Sequence, residues 1–267
     1  MNTMNKFLLT EIDKNTAISF IQKYHYSKIL PRLTKMYIGF YDDKGLQGVV
    51  SLGYGTQPLQ TIKKIFYKDE MKTEDYIEIG KMCFSPFQNN NSFSGSVILS
   101  MLIKWIKQNT DYKYLYTLAD GIMGKCGYVY QASNFKYIGN FTTSVYRDMN
   151  TGEKIHPRSA KTLCEENAEF EGKQKIHWLT HDFCEYKGIE KINGLMFRYI
   201  YPLNKKAKKT LEKYSEYKNK KYPKDDDLVF RKRIAKGKFV DIEKPDFNMD
   251  VFNYNYQKYN SIQMTMI

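Results

Sequence analysis

The apolar positions in the first part of the chain change from helical spacing to strand spacing. Apolar residues recur three and four positions apart over residues 17–24, which predicts an amphipathic helix with Asp13 or Asn15 as its N-cap. Two apolar runs follow, residues 36–41 and 46–55, joined by a short turn in which Gly45 can adopt a positive φ. The pattern therefore predicts a helix followed by a β-hairpin.

The middle of the chain has the pattern of a βαβ unit. Residues 76–86 are apolar on both alternations, which is typical of a central strand. A polar loop, residues 87–95, precedes a helix with a broad apolar face over residues 96–108 and then a strand over residues 112–120. A strand, a helix and a second strand in this order predict parallel pairing.

Residues 115–139 predict a strand, a glycine-rich turn, a short helix and a second strand. Asp120 ends the first strand of this segment, and Tyr130 lies on its helix. Further strands are predicted over residues 140–148 and 195–203, the latter as the final strand.

Two segments differ from this α/β core. Residues 151–193 are longer than a hairpin connection needs, so we interpret them as a functional insertion. Residues 205–224 carry nine lysines against two glutamates, and the pattern there is partly helical. We expect an irregular tail over the last 25 or so residues. The chain is thus divided into a core, residues 1–203, and a basic C-terminal extension, residues 204–267.

Composition limits the function classes. With 42% hydrophobic residues the chain can bury a core, and no apolar run approaches the roughly 18 residues that span a bilayer. The first 15 residues also lack the apolar centre of a signal peptide. We therefore expect a cytoplasmic protein with no membrane association. The net charge of +13 favours a polyanionic partner, with nucleic acid the leading class.

The cysteines indicate neither a zinc ribbon nor a redox pair. The four residues are widely spaced and form no Cys-x-x-Cys motif: Cys83, Cys126, Cys164 and Cys184. We interpret them as reduced, mostly structural thiols.

Four short motifs, taken in order, resemble one protein family. They are His-Tyr-Ser at 25–27, Ala-Asp-Gly-x-x-Gly-x-x-Gly-x-x-Tyr-Gln-Ala-Ser-Asn-Phe at 119–135, His-Pro-Arg-Ser at 156–159 and Arg-Tyr-Ile-Tyr-Pro-Leu at 198–203. Residues 115–139 resemble the back half of an acyl-CoA-dependent N-acetyltransferase (GNAT) core. The whole set, over roughly residues 18–202, resembles the Mom family of phage DNA-modification proteins, which are relatives of the GNAT enzymes.

The resemblance implies a fold and an activity. The fold would be a GNAT-like mixed central sheet flanked by helices, and the activity a modification of the N6 amine of adenine in double-stranded phage DNA. Such a modification would protect the DNA from restriction in the host cytoplasm. A stacked base pair hides this amine, so the base must flip, and Tyr24, Tyr26 and Tyr54 are candidate stacking partners.

The resemblance also implies catalytic residues. In the family, the residues that match His25, Tyr26 and Asp120 are essential, and an iron site made of them has been suggested. His, Tyr and carboxylate are plausible iron ligands, but the same set can perform acid–base chemistry without metal. The sequence leaves both alternatives open. It also leaves open that His25 is a core histidine and Asp120 a turn-capping aspartate.

Tyr130 matches the GNAT tyrosine that protonates the departing CoA thiolate. Asn134 replaces the glycine that usually precedes the following aromatic, and it preserves a left-handed helix end because asparagine tolerates that conformation. The alternative interpretation of Tyr130 is a packed core aromatic.

Acetyl-CoA or a related acyl-CoA is the cofactor that the resemblance implies. The candidate binding residues follow the central strand into the next helix: Met82, Cys83, Phe84, Ser92, Ser94, Gly95 and Ser96. The usual arginine- or glutamine-led glycine run of the GNAT family is poorly matched here, which leaves the binding mode open.

The candidate DNA-binding residues are basic or polar: His156, Arg158, Ser159, Lys205, Lys206, Lys208 and Lys209. A solvated turn and a solvated charged helix are the alternatives at these positions. Two other functions remain open, an ordinary GNAT acting on a protein or small amine and a non-catalytic DNA-binding protein. A homodimer through an exposed strand also remains open.

Overall fold

The computed structural model describes residues 7–29, 33–55, 58–65, 71–86, 94–157, 161–215 and 220–254. The strands are β1 Leu8–Ile12, β2 Thr34–Asp42, β3 Gly45–Gly53, β4 Tyr76–Phe84, β5 Tyr114–Asp120, β6 Lys136–Asp148, β7 Lys154–Ile155, β8 Ile189–Pro202, β9 Phe230–Ala235 and β10 Lys238–Asp241. The helices are α1 Lys14–Tyr24, α2 Pro58–Ile65, α3 Gly95–Asn109, α4 Tyr128–Ala132, α5 Lys161–Phe170, α6 His181–Lys187 and α7 Lys205–Tyr214.

The chain forms two compact units that interleave along the sequence. Unit 1 comprises Met1–Ala119, Gly127–Gly139 and Phe197–Pro223, and unit 2 comprises Asp120–Cys126, Asn140–Met196 and Lys224–Ile267. The basic extension is therefore shared, because α7 belongs to unit 1 and the β9–β10 hairpin to unit 2. A domain boundary after residue 203 stays a prediction.

Unit 1 is built on a mixed sheet with the strand order β1-β2-β3-β4-β5-β8-β6. Strands β1 to β4 pair antiparallel, whereas β4 and β5 pair parallel and are connected by α3. This confirms the predicted hairpin and βαβ unit. Asp13 caps α1 as expected, since its carboxylate accepts a 2.9 Å hydrogen bond from the Thr16 N–H. The architecture is the mixed sheet flanked by helices that the resemblance implies.

The core of unit 1 is rich in tyrosine. One cluster contains Tyr76, Tyr114 and Tyr116 together with apolar residues of β6, β8 and α7. Buried hydroxyls need partners, and the Tyr76 hydroxyl donates to the Tyr54 carbonyl at 3.0 Å while the Tyr114 hydroxyl donates to the Ala207 carbonyl at 3.2 Å. The tyrosines thereby tie the sheet to the segments that cover it.

Unit 2 corrects several strand predictions. Residues 140–148 are the second part of the long strand β6, and residues 195–202 belong to β8, which begins six residues earlier at Ile189 and is followed by two more strands. No strand was predicted in the basic C-terminal extension, so the β9–β10 hairpin was missed. The lysines and arginines of this hairpin obscure the apolar alternation that is typical of a strand. Arg233, which is half-buried, holds β9 in place by donating to the Leu179 and Thr180 carbonyls.

The long connection after β6 contains two helices. Helix α5 and helix α6 bury Leu163 and Phe183 in a cluster with Tyr146 of β6 and Ile189 of β8. The segment is therefore a packed part of unit 2. No described helix has the length and apolar character needed to cross a bilayer.

Gly127 allows a close approach at the start of α4. Its φ is 92°, and a Cβ at this position would lie 2.5 Å from the Tyr199 ring of β8. Only glycine avoids both the unfavourable backbone conformation and the overlap. Close packing in unit 1 therefore requires glycine at position 127 of the glycine-rich turn.

Replacing Gly127 with alanine should destabilise the protein more than the same change at Gly45. Gly45 has a φ of 104°, but a Cβ there would meet no atom within 4 Å. Gly45→Ala therefore pays only the backbone strain, about 1–2 kcal/mol. Gly127→Ala should cost about 1–3 kcal/mol more because of the overlap with Tyr199. Urea unfolding of both variants measures the difference, and equal losses would contradict the packing argument.

Candidate active site

Strands β4 and β5 separate part of the way along their length. Their parallel pairing runs only from Tyr76 with Tyr114 to Ile79 with Thr117, although β4 continues to Phe84. On the other side of β4, Ile79 pairs with Leu52 and Lys81 with Ser51, so Gly80 is the extra residue of a β-bulge. A bulge bends its strand, and Gly80 lies at the residue where β4 leaves β5. We call the resulting gap the β4–β5 opening.

Tyr130 lies at this opening. Its hydroxyl is hydrogen-bonded to the side chain of Thr117, the last residue of β5 that pairs with β4. Its ring packs 5.5 Å from both the Phe135 and Tyr199 rings. Burial raises the pKa of the Tyr130 hydroxyl, and the hydrogen bond to Thr117 opposes this effect. Tyr130 thus presents a protonated hydroxyl at the opening.

The local fold of α4 explains how Tyr130 is aimed. Gly127 begins the helix, and Asn134, with a φ of 61°, reverses the chain just after its end. The Phe135 N–H then donates to the Tyr130 carbonyl at 3.0 Å. This confirms the left-handed conformation predicted for Asn134.

The end of β4 borders the same opening. Cys83 is buried, and Met82 and Phe84 are half-buried. Burial raises the pKa of the Cys83 thiol to about 12, and the ammonium groups of Lys81 and Lys28 oppose that shift. Cys83 is therefore a protonated packing residue and not a thiolate nucleophile.

Helix α3 starts beyond this strand with the predicted serine and glycine residues. Ser94 occupies the N-cap position without bonding a backbone N–H of the helix, and its hydroxyl lies 2.8 Å from that of Ser96. Gly95 lets α3 approach α4, because a Cβ there would lie 2.5 Å from Val129 Cγ2. The first turn of α3 has no acidic residue. Ser92 lies outside the described residues.

His25 and Tyr26 follow the end of α1 in unit 1. His25 is buried, and its ring stacks on Tyr26 with 4.4 Å between centroids. The His25 Nδ1 accepts a 2.9 Å hydrogen bond from the Ser27 N–H and also lies 3.0 Å from the Ser27 carbonyl oxygen. The backbone of Ser27 therefore offers a donor to the neutral ring and an acceptor to the protonated ring.

Asp120 belongs to unit 2, where it has two partners. One carboxylate oxygen accepts a 3.1 Å hydrogen bond from the Ile122 N–H, which is the turn-capping role that the sequence left open. The other oxygen lies 3.0 Å from Lys154 Nζ. In this ion pair the side chain of Asp120 is 19% exposed and that of Lys154 is 11% exposed. Lys154 Nζ also lies 5.6 Å from the centre of the Phe247 ring.

One further lysine, Lys125, approaches Asp120, and Lys244 lies close to Lys125; sequence analysis missed both. Loss of solvation lowers the pKa of Lys125 although its side chain keeps some exposure, the Asp120 carboxylate opposes this effect, and the ammonium groups of Lys154 and Lys244 add to it. Lys125 lies within the glycine-rich motif itself, so its neighbourhood was available from the sequence. The contributions of Lys154 and Lys244 depend on the tertiary fold and have no local signal.

The predicted DNA-binding residues are exposed, half-buried or outside the described residues. The lysines proposed for DNA binding, Lys205, Lys206, Lys208 and Lys209, are all exposed on α7. His156 is half-buried after β7, whereas Arg158 and Ser159 lie outside the described residues.

Two of the proposed stacking tyrosines have rings covered by other side chains. Tyr54 packs edge-on against Tyr76 and beneath Lys35 Nζ, and Tyr24 packs against Phe20. Tyr26 is half-buried, and its ring stacks on His25.

The structure does not support the suggested iron site. Within the part of the chain that is described, no group of three or more His, Cys, Asp or Glu side chains is gathered as for a metal ion. We therefore derive no step through iron.

Solved structures of acetyltransferases match the chain with partial overlap. A GNAT-superfamily phosphinothricin acetyltransferase from Sinorhizobium meliloti, solved with AcCoA, is 10% identical and has a TM-score of 0.38, over 74% of this chain and 89% of that chain. An N-acetyltransferase from Staphylococcus aureus Mu50 is 12% identical with a TM-score of 0.36, over 74% and 97%. The strand order described above, and not these overlaps, defines the fold.

Sequence comparison is more specific. The methylcarbamoylase Mom of Escherichia phage Mu is 28% identical over 209 residues, which is 78% of this chain and 80% of the phage protein. The model of the Mom protein family matches residues 6–224. That range contains the β4–β5 opening, the His25–Tyr26 pair, Asp120 and Tyr130. The chain belongs to the Mom protein family.

Proposed function

We propose that this protein transfers a methylcarbamoyl group, or a closely related small group, to the N6 amine of adenine in double-stranded phage DNA. The observation that carries this proposal is the family match over residues 6–224, together with the group transfer named for the phage Mu relative. The net charge of +13 and the exposed lysines of α7 support a DNA substrate. The modification would protect phage DNA from restriction.

An acyl-CoA-type donor fits the β4–β5 opening. Beyond Ile79, β4 no longer pairs with β5, so its backbone can hydrogen-bond to an extended amide-containing arm. The hydroxyls of Ser94 and Ser96 and the N-terminus of α3, which lacks acidic residues, suit the phosphates of such a donor. When bound, a donor of this class supplies an activated group and a thiolate leaving group.

Tyr130 would provide the proton for the leaving thiolate. Its raised pKa keeps the hydroxyl protonated at neutral pH, and Thr117 orients it at the opening. General acid catalysis requires a donor with its proton in place and within reach of the leaving atom. Tyr130 meets the first requirement in this structure, and its position at the opening supports the second.

His25 would act as the general base for the adenine amine. This amine is a weak nucleophile because its lone pair is delocalised into the ring, so removal of its proton during attack assists transfer. In the tautomer that carries its proton on Nδ1 and donates it to the Ser27 carbonyl oxygen 3.0 Å away, the Nε2 lone pair is left to accept the amine proton. Tyr26 would extend its stack with His25 onto the flipped base.

Lys154 would position Asp120 in unit 2. It fixes one carboxylate oxygen while the Ile122 N–H fixes the other, so the side chain has a defined orientation. The pair is largely buried, which makes its geometry more rigid than that of an exposed pair. We infer that the role of Asp120 depends on this orientation as well as on its charge.

The proposal predicts the modified nucleoside directly. Co-expression with plasmid DNA should give a new deoxyadenosine species whose mass increase equals a methylcarbamoyl group replacing one hydrogen. His25→Ala and Asp120→Asn should each reduce it by at least about 100-fold, the lower range for loss of a general acid or base. Asp120→Asn keeps an oxygen that can cap Ile122. Nucleoside mass spectrometry measures the product.

Matched controls separate catalysis from folding and binding. His177 is exposed in unit 2, so His177→Ala should leave the yield unchanged. Both site variants should remain folded at the assay temperature and keep wild-type DNA affinity, although loss of the Lys154 ion pair should lower the thermal midpoint of Asp120→Asn. Full modification by His25→Ala and Asp120→Asn would overturn the site assignment. Unmodified DNA from cells that contain soluble wild-type protein would overturn the proposed reaction.

The lysines around Asp120 allow a second test. Lys154→Met should raise the pKa of Lys125, because it removes a repelling ammonium group and leaves the Asp120 carboxylate to Lys125. Lys154→Arg keeps the positive charge and should leave the Lys125 pKa nearly unchanged. NMR titration of ¹³C-dimethylated lysines follows the shift, with Lys125→Arg to assign the signal. A lower Lys125 pKa in Lys154→Met would refute this account.

A further inference from the structure

Unit 1 contains a second cavity that the proposed reaction does not use. It has a volume of about 430 Å³ and lies between the start of β6, the end of β8, α7 and the residues that follow α7. Pro202 lines it, and the next residue, Leu203, donates its N–H to the carbonyl of Lys113, just before β5. The β4–β5 opening begins at Thr117, further along β5 in the direction of its C-terminal end. The two sites are therefore separate places on unit 1.

The rim of the cavity is positively charged. Lys136, Lys208 and Lys220 line it together with one carboxylate, Glu212, which leaves an excess of two positive charges. Lys208 Nζ and Glu212 Oε1 are 3.9 Å apart, and both side chains are more than half exposed, so this pair holds Lys208 only weakly. A phosphate monoester carries nearly two negative charges at neutral pH and matches this excess.

The inner wall of the cavity is aromatic and apolar. Tyr222 lines it with buried apolar surface from Leu211 and Ile138, whereas the ring of Tyr137, the neighbour of Ile138 in β6, packs against Phe197 and Tyr199. The Tyr222 hydroxyl donates to the Phe135 carbonyl at 2.7 Å, which fixes its ring. Fixed aromatic rings beside ammonium groups are the combination that binds a nucleic-acid base and its phosphate together.

We propose that this cavity binds one nucleoside phosphate unit, with the base against Tyr222 and the phosphate against the lysines. Its volume lies in the usual range of small-ligand sites, roughly 300–1,000 Å³. A phosphate alone would need no aromatic wall, and a purely apolar ligand would need no ammonium groups. The nucleoside phosphate is either a free nucleotide or a nucleotide of a DNA strand. This binding does not depend on the proposed transfer reaction.

The lysines of α7 provide a matched pair of variants. Lys208 and Lys209 are neighbours on the same helix and both are exposed, but only Lys208 lines the cavity. Lys208→Met should weaken binding of dAMP about tenfold, which corresponds to the loss of one charge-assisted hydrogen bond. Lys209→Met should leave dAMP binding unchanged. Isothermal titration calorimetry at low salt measures both.

A second pair tests the aromatic wall. Tyr222→Phe keeps the ring and should retain most of the affinity for dAMP, whereas Tyr222→Leu should lose about tenfold, within the range measured for base stacking. Thermal unfolding of both variants checks that the loss of the hydrogen bond to Phe135 has not disturbed the fold. Inorganic phosphate should bind more weakly than dAMP. Equal affinities would overturn the nucleoside part of the proposal.

Three probes distinguish the source of the nucleotide: dAMP, a short single strand with a 5′ phosphate, and duplex DNA. Dependence on Lys208 but not on Lys209 with dAMP supports a site for free nucleotides. A larger loss with Lys208→Met than with Lys209→Met, seen only with the single strand or the duplex, supports a site for the DNA itself. If no probe distinguishes Lys208→Met from Lys209→Met, the cavity is not a nucleotide site. Because the readout is binding, this result is independent of whether the DNA becomes modified.

Discussion

The bulge at Gly80 is the constraint on which the site in unit 1 depends. The strands β4 and β5 form a regular parallel pair as far as Ile79 and Thr117, and the extra residue in β4 then bends it away. Without this separation, the backbone groups of residues 80–84 that face β5 would also be paired within the sheet and unable to bind a ligand. The same point fixes Tyr130, because its hydrogen-bond partner Thr117 is the last paired residue of β5.

Burial and nearby charges determine which of the remaining polar side chains can react and which have a structural role. Burial keeps the hydroxyl of Tyr130 and the thiol of Cys83 protonated, which suits the first as an acid and makes the second inert. In unit 2, burial and nearby positive charge lower the pKa of Lys125, while Asp120 opposes this shift. In each unit, the surroundings of a polar side chain therefore determine its protonation state and its orientation.

The sequence predicted most elements of unit 1 because local patterns determine them, but it missed β1 and α2. Helix α1, the β2–β3 hairpin and the βαβ unit followed from apolar spacing, and the conformation of Asn134 followed from its position after a short helix. The β9–β10 hairpin was missed because alternating lysines and arginines resemble a solvated helix. The lysines around Asp120 were missed because Lys154 and Lys244 are distant in sequence. The bulge had a signal, a glycine inside a strand, that was not used.

We expect the β4–β5 opening to hold the donor. Hydrogen–deuterium exchange of the full-length protein, with and without CoA, measures this binding. We expect CoA to slow exchange in peptides that cover residues 80–84 and the start of α3, and to leave the β9–β10 hairpin unchanged. Tight CoA binding that protects other segments while residues 80–84 exchange as before would contradict the account.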